Sequence, residues 1–336
     1  MQSTGHRAPP RSTPSISGPS ISGPSIIVLC VVIVATLAGV VASSLSAGPA
    51  AAADCPARGS RVVFARSMDA IGGNWGIAAV PATGGDVTWV FGPEKGGAYN
   101  FRPSVSSADG TILWDTNQGG RQRIRTMGCD GTDPHDWSTR SGPRDAMAPA
   151  FSPDGAQVAF VARMPGNTSK TQPVFALYVA PADQPGKARV VTKKPAAGGM
   201  HAAWSPDGTR LAFGAGKTIP SIWVVGVDGR GLTRLTTAKL GDGEPSWSPD
   251  GRQIVYNSAA EGDAVWIMNA DGTGARQLAT ADTGAYQPAF SPDGQYVAYV
   301  NNGVGHSELW LIRPDGTDAH ALTTTTAKEA NEAPAW

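Results

Sequence analysis

Trp247-Ser248-Pro249-Asp250-Gly251 is one of a series of near-identical pentapeptides. Phe151-Ser152-Pro153-Asp154-Gly155 and Trp204-Ser205-Pro206-Asp207-Gly208 precede it, and Phe290-Ser291-Pro292-Asp293-Gly294 follows. A worn copy, Val105-Ser106-Ser107-Ala108-Asp109-Gly110, stands before them all. From Gly110 onward the glycines are 45, 53, 43 and 43 residues apart, the period of a propeller blade. The motif reads as a tight turn. Pro presets φ, Asp suits the next position, and Gly takes the left-handed conformation that closes a hairpin.

Short alternating segments flank each turn. Gln157–Phe160, Arg210–Phe213, Gln253–Tyr256 and Tyr296–Tyr299 follow it, and strict alternation over so few residues signals a strand. A third strand carries Tyr178, Trp223, Trp266 or Trp310, each five residues before an aspartate that belongs to the next turn or loop. Segments such as Thr233-Arg234-Leu235-Thr236 supply a fourth strand. Four strands make one blade. The ends complete the ring: Ala333-Pro334-Ala335-Trp336 matches Glu244-Pro245-Ser246-Trp247 but lacks the turn that should follow. Arg61–Ser67 looks like an orphan second strand, with Trp75–Val80 and Val87–Phe91 as its third and fourth. Joining these ends predicts an all-β, six-bladed propeller of four-stranded blades, one of them closed by the C-terminal strand. Shared ends remove the open edges that invite aggregation.

Composition agrees. The 336 residues hold 42 Gly and 27 Pro, with only 16% charged, which favours turns and short strands over long helices. Net charge is zero, so no overall basic field draws the chain to nucleic acid. Cys30 lies in an apolar run, leaving Cys55 and Cys129 as the pair in the body. Two readings stay open for them, a disulfide if the body is exported or two free thiols. Neither belongs to a Cys-x-x-Cys pair, so no metal motif is read.

The N-terminus is of another kind. Residues 1–25 repeat Ser-Ile-Ser-Gly-Pro and read as a disordered segment. Ile26 to Ala42 is continuously apolar, and residues 26–47 approach the roughly 20 residues of a membrane-spanning helix. Arg7 and Arg11 precede it, while no Lys or Arg occurs between Ala42 and Asp54. The positive-inside rule then puts residues 1–25 in the cytoplasm and the body outside. The segment is either an uncleaved anchor or a long signal peptide cut near Ala51-Ala52-Ala53, giving a membrane-tethered or a secreted protein. Residues 48–58 form a linker and 59–336 the propeller.

The run Pro-x-Trp-Ser-Pro-Asp-Gly, strand, Ile/Leu-Trp, Asp-Gly-Thr, Leu-Thr resembles the repeats of the TolB-like six-bladed propeller family over about residues 59–336. The resemblance implies a channelled disc that binds proteins or ligands. The α/β domain that precedes the propeller in TolB has no counterpart in residues 1–54, so the lipoprotein partnership of TolB is not carried over. Related propellers gate serine peptidases, but no hydrolase domain fits in the remaining residues.

Chemistry is sparse. His135, His201, His306 and His320 are scattered, no Gly-x-Ser-x-Gly elbow occurs, and no cofactor motif is found. Gly214-Ala215-Gly216-Lys217-Thr218 lacks the glycine a phosphate loop needs, because Leu211 stands in its place. The repeated aspartates serve their own turns, and the tryptophans are expected in the core. One set differs from blade to blade. Three residues before the aromatic of each first strand stand Arg102, Ala148, His201, Glu244, Gln287 and Ala333. If that strand is innermost, Arg102, His201, Glu244 and Gln287, with Glu332 beside Ala333, form a polar ring near one channel mouth. This ring is the candidate ligand site. The expected function is a non-enzymatic module at the outer face of a membrane, with a protein or peptide partner on the disc. The alternative is a hydrolase or lyase acting on envelope or extracellular glycan at the channel mouth.

Overall fold

Ser248 Oγ donates to Asp250 Oδ1 at 2.6 Å and accepts the Gln253 N–H at 2.9 Å, so the pentapeptide folds onto itself between two strands. The Arg252 N–H donates to the same Asp250 oxygen at 3.0 Å. Ser152–Asp154, Ser205–Asp207 and Ser291–Asp293 repeat the arrangement at 2.6, 2.5 and 2.6 Å. These hydrogen bonds hold the four turn carboxyls below the usual aspartate range, the serine hydroxyl contributing most. They are turn residues, as their spacing suggested.

A computed structural model describes residues 55–336 except 70–73, 94–97, 168–173, 193–200, 217, 238–239, 260–261, 280–283, 304–305 and 327. The expected cytoplasmic segment, the apolar helix and linker residues 48–54 lie outside the described residues. Among the described residues no helix is long and apolar enough to cross a membrane.

The strands form six four-stranded antiparallel sheets. The first blade joins β24 (Ala330–Ala335) to β1 (Arg61–Ser67), β2 (Trp75–Pro81) and β3 (Thr88–Phe91). The second holds β4 (Asn100–Val105), β5 (Ile112–Thr116), β6 (Arg123–Met127) and β7 (His135–Asp136). The third holds β8 (Met147–Phe151), β9 (Gln157–Arg163), β10 (Phe175–Pro181) and β11 (Arg189–Thr192). The fourth holds β12 (Ala202–Trp204), β13 (Arg210–Ala215), β14 (Ser221–Gly226) and β15 (Thr233–Arg234). The fifth holds β16 (Asp242–Trp247), β17 (Gln253–Ser258), β18 (Ala264–Asn269) and β19 (Arg276–Gln277). The sixth holds β20 (Ala285–Phe290), β21 (Val297–Asn301), β22 (Glu308–Ile312) and β23 (His320–Ala321). Strands β4, β8, β12, β16, β20 and β24 touch one another in succession and back to β4. They are therefore the innermost strands, and the ring is closed. As the severed ends predicted, β24 pairs antiparallel with β1, setting Glu332 opposite Ala65 and Asn331 opposite Arg66.

The core lies between the blades. Val158, Phe160, Ala176 and Tyr178 of the third blade pack with Leu113 and Ile124 of the second. Phe160 and Tyr178 stack at 5.4 Å. Each fully buried aliphatic or aromatic side chain contributes roughly 1.5–3 kcal/mol, and the alternation of the second and third strands delivers such residues to both seams of every blade. Trp204 and Trp336 also donate their indole N–H to the preceding blade, at Ala150 O (3.0 Å) and Ala289 O (3.2 Å).

The turn glycines mark a second seam. A Cβ on Gly251 would lie 3.2 Å from Pro206 Cγ of the preceding turn, and one on Gly294 would lie 3.4 Å from Pro249. Both have a left-handed backbone that favours glycine (φ +72° and +71°), and at Gly251 the closer proline adds to that demand. Gly59 meets Pro292 in the same way and stands in for the turn glycine of the first blade. Its turn is thus cut between Trp336 and Arg58. At Gly110 the preceding blade offers no proline. The Cys55 and Cys129 side chains fill that space, at 3.2 and 3.1 Å from where a Cβ would stand. These cysteines form a disulfide with Cα atoms 5.7 Å apart, spanning 74 residues.

Candidate functional site

Five of the inner strands have a bulge halfway along. Ladder register shifts between Phe101 and Ser104, Met147 and Ala150, Gly243 and Ser246, and Tyr286 and Ala289. A further shift occurs opposite Glu332–Ala335. At the centre of these bulges Arg102, Ala148, Glu244, Gln287 and Ala333 hold positive φ, between 48° and 54°. Each is followed by proline, and five non-glycine residues in this conformation at equivalent positions constitute stored backbone strain. His201 is the exception. It is followed by Ala202, and β12 pairs with β13 in regular register over Ala202–Trp204.

The bulges turn backbone N–H groups toward the neighbouring blade, and side chains of the polar ring receive them. Gln287 Oε1 accepts the Ala333 N–H at 2.7 Å. The Glu244 carboxylate accepts hydrogen bonds from the side chain and the backbone of Gln287. The backbone of Ala148 favours the ionised form of Asp115, on β5 of the neighbouring blade. The ring therefore fastens blade to blade, a role that sequence reasoning did not assign to it. Asp115 itself was missed. Its signal was a lone carboxylate inside the apolar strand Ile112-Leu113-Trp114-Asp115-Thr116.

These groups share one electrostatic field. Arg102 Nη1 lies 3.1 Å from Asp115 Oδ2, which also accepts Gln122 Nε2 at 2.6 Å. Asp115 is completely buried, and desolvation raises its carboxyl to about 6 against the pull of Arg102. His201 Nε2 lies 3.9 Å from Glu244 Oε1. Burial, reinforced by the Arg102 charge, pushes the imidazole down to about 3, so it is neutral. Burial raises Glu244 to about 7, opposed by Arg102 and the Gln287 hydrogen bonds and aided by Glu332. Burial likewise raises Glu332, whose Oε1 lies 3.4 Å from both Tyr286 Oη and Ser307 Oγ. Tyr286 is pushed up to about 12, mainly by burial, and Tyr99 is raised for the same reason.

Above this layer a funnel of about 550 Å³ opens on the face of the Ser-Pro-Asp-Gly turns. Its walls are prolines, serines and aromatic rings, Trp204, Trp247 and Trp336 among them. Arg102 and His201 line it, and Arg58 reaches it from the cut turn. Glu244, Gln287 and Glu332 do not line it; they are coupled to its floor through His201 and Arg102. The five candidates thus gather in one layer across the channel, beneath the mouth and not at its rim. Among the described residues no three His, Cys, Asp or Glu side chains are grouped to hold a metal ion.

Comparison with known proteins bears on the scaffold. The structure of TolB from Acinetobacter baumannii superposes with a TM-score of 0.68 at 19% identity, over 82% of this chain and 66% of that one, just under two thirds of its length. A chain of a nidogen/laminin complex matches with a TM-score of 0.64 at 12% identity, over 82% of this chain and 97% of that one. Hydrazine synthase of Kuenenia stuttgartiensis matches with a TM-score of 0.63 at 12% identity, over 82% of this chain and 46% of that one. At such identities the likeness is one of fold. No curated protein sequence matches the chain. A family model described as the TolB beta propeller domain matches residues 137–336, more than half of the chain. With four intact repeats and a ring closed by its own last strand, the chain belongs to the TolB β-propeller domain family.

Proposed function

We propose that the propeller is a non-enzymatic binding module whose partner, a protein or a peptide segment, docks over the funnel. The observation that carries this reading is where the blades differ. The turns and seams repeat from blade to blade, whereas Arg102, His201, Glu244, Gln287 and Glu332 differ and collect beneath a funnel of about 550 Å³. That volume is within the range of ligand sites, and the aromatic rings and prolines in its wall offer contact area to a side chain or loop. A photoreactive amino acid at Ser246, on the funnel wall, should trap one discrete partner in the full-length protein. A control at Arg189, in outer strand β11, should not. No adduct at Ser246, or equal adducts at both, would refute docking there.

We further propose that the N-terminal apolar segment holds the disc at the outer face of a membrane. The Arg7 and Arg11 placement supports this orientation, and a disulfide suits an oxidising compartment. N-terminal sequencing of the mature protein decides it: a start at Asp54 would leave a secreted propeller instead.

A further inference from the structure

The polar layer is not balanced in charge. Arg102 is its one guanidinium, and Asp115 takes it at 3.1 Å. Two carboxyls remain, Glu244 and Glu332, each within the other's field. Tyr99 and Tyr286, which face them, are neutral. His201 brings no positive charge, because its imidazole is kept neutral, and its buried Nε2 has no hydrogen-bond partner. The His201 imidazole lines the funnel and is 27% exposed, the Glu244 carboxyl 3.9 Å from it is 22% exposed, and the Tyr286 hydroxyl lies against Glu332 in the same layer. Three carboxyl groups, Asp115, Glu244 and Glu332, stand against one guanidinium in this layer, which is the complement of a cation.

We propose that this layer, at the floor of the funnel, receives one organic cation, the ammonium or guanidinium head of a basic side chain carried by the docking partner. The inference rests on the docking reading above and names the chemistry of the docked group. The donor grouping favours an organic cation over a metal ion, since no three potential ligands gather closely among the described residues. The funnel favours a side chain as the carrier. Its wall of Trp204, Trp247, Trp336 and proline rings would cover a methylene stem while the charged head reaches the floor. The charge of Arg102 reaches His201 and Glu244, and the Asp115 carboxylate 3.1 Å from it offsets part of that charge.

The test uses the full-length protein in detergent and two probes, N-acetyl-lysine methylamide and its uncharged norleucine counterpart. Calorimetry at pH 7 is run in two buffers of different ionisation enthalpy. A cation beside Glu244 lowers its carboxyl from about 7, so binding should release a fraction of a proton. The lysine probe should bind saturably, about tenfold or more tighter than norleucine, the worth of one charge-assisted hydrogen bond. Glu244→Gln should weaken it similarly and abolish proton release, and Glu332→Gln should weaken it while leaving release in place. Equal binding of both probes, or unchanged proton release in Glu244→Gln, overturns the proposal. The docking reading fails separately. If a partner trapped at Ser246 binds Glu244→Gln as tightly as wild type, docking stands and the inserted cation falls. If the lysine probe binds as described but nothing is trapped at Ser246, the cation site stands and docking falls.

Discussion

The side-chain oxygen of Gln287 in the sixth blade accepts the backbone N–H of Ala333 in the first, at 2.7 Å. Gln287 in turn donates its own backbone N–H to Glu244 of the fifth. A row of ring residues thus links three successive blades through groups that strain has exposed. Ala333 is buried, so its N–H has no access to water when its acceptor is lost.

Gln287→Ala should therefore destabilise the fold by about 1–3 kcal/mol, the cost of an orphaned buried donor. Gln287→Glu keeps an acceptor for Ala333 but sets a second carboxylate against Glu244, and should recover only part of the loss. Urea unfolding midpoints of the two variants check this, with Ala below Glu and both below wild type.

The pH dependence of stability has a definite sign at Glu244. Its folded value, about 7, lies above the ordinary 4.5, so the folded state binds more protons between those values. Stability from this group is present below about pH 4.5 and lost as pH rises toward 7. His201 acts oppositely: its value falls from 6.5 to about 3, so its contribution is lost as pH drops through that window. Wild type should lose stability relative to Glu244→Gln as pH rises from about 4.5 to about 7, and gain it relative to His201→Gln from about 3 to about 6.5. Unfolding free energies measured across pH 3–8 would show both difference curves; a flat curve for either variant removes that group from the account.

Two turn glycines separate strain from contact. Gly251 and Gly208 share a left-handed backbone, φ +72° and +68°. Only Gly251 has a proline against it, 3.2 Å from the position of a Cβ, while Gly208 faces open space. Gly208→Ala should cost about 1 kcal/mol for conformation alone. Gly251→Ala should cost more, because Pro206 must also shift. Equal thermal shifts in the two variants would contradict the interlocking of successive turns.

The Cys55–Cys129 bond closes a 74-residue separation across the cut turn. In the chain-entropy view such a bond contributes up to about 4 kcal/mol. Cys129→Ser should lower the melting temperature and make it insensitive to reductant, whereas wild type should fall toward the variant when reduced. A wild-type melt unmoved by reductant would mean the bond carries no stability.

Much of the architecture was legible because its determinants are local. Ser248, Asp250 and Gly251 make their turn largely from their own atoms, so each copy announced itself. Even the composite first blade followed from matching Ala333–Trp336 to Glu244–Trp247. Determinants that act between blades were not legible. Proline ordinarily holds the residue before it extended, so nothing in Gln287-Pro288 or Glu244-Pro245 announced a left-handed bulge. The sequence places the ring near one channel mouth, but it does not announce that part of the ring's hydrogen bonding goes to a neighbouring backbone. Gly59 was invisible as a turn residue because the rest of its motif is missing, and it is recognised only by the proline it touches. Asp115 could have been flagged as a buried charge, but its partner Arg102 comes from another strand.

The blades differ in what meets the turn glycine: proline at Gly59, Gly251 and Gly294, Ala108 at Gly155, two cysteines at Gly110 and open space at Gly208. A disc of six equal sectors would offer six equivalent ways of seating whatever lands on it. The sectors of this one are unequal, and the close approach of His201 and Glu244 marks one seam. That irregularity works as a compass mark, selecting one rotational setting about the axis from six.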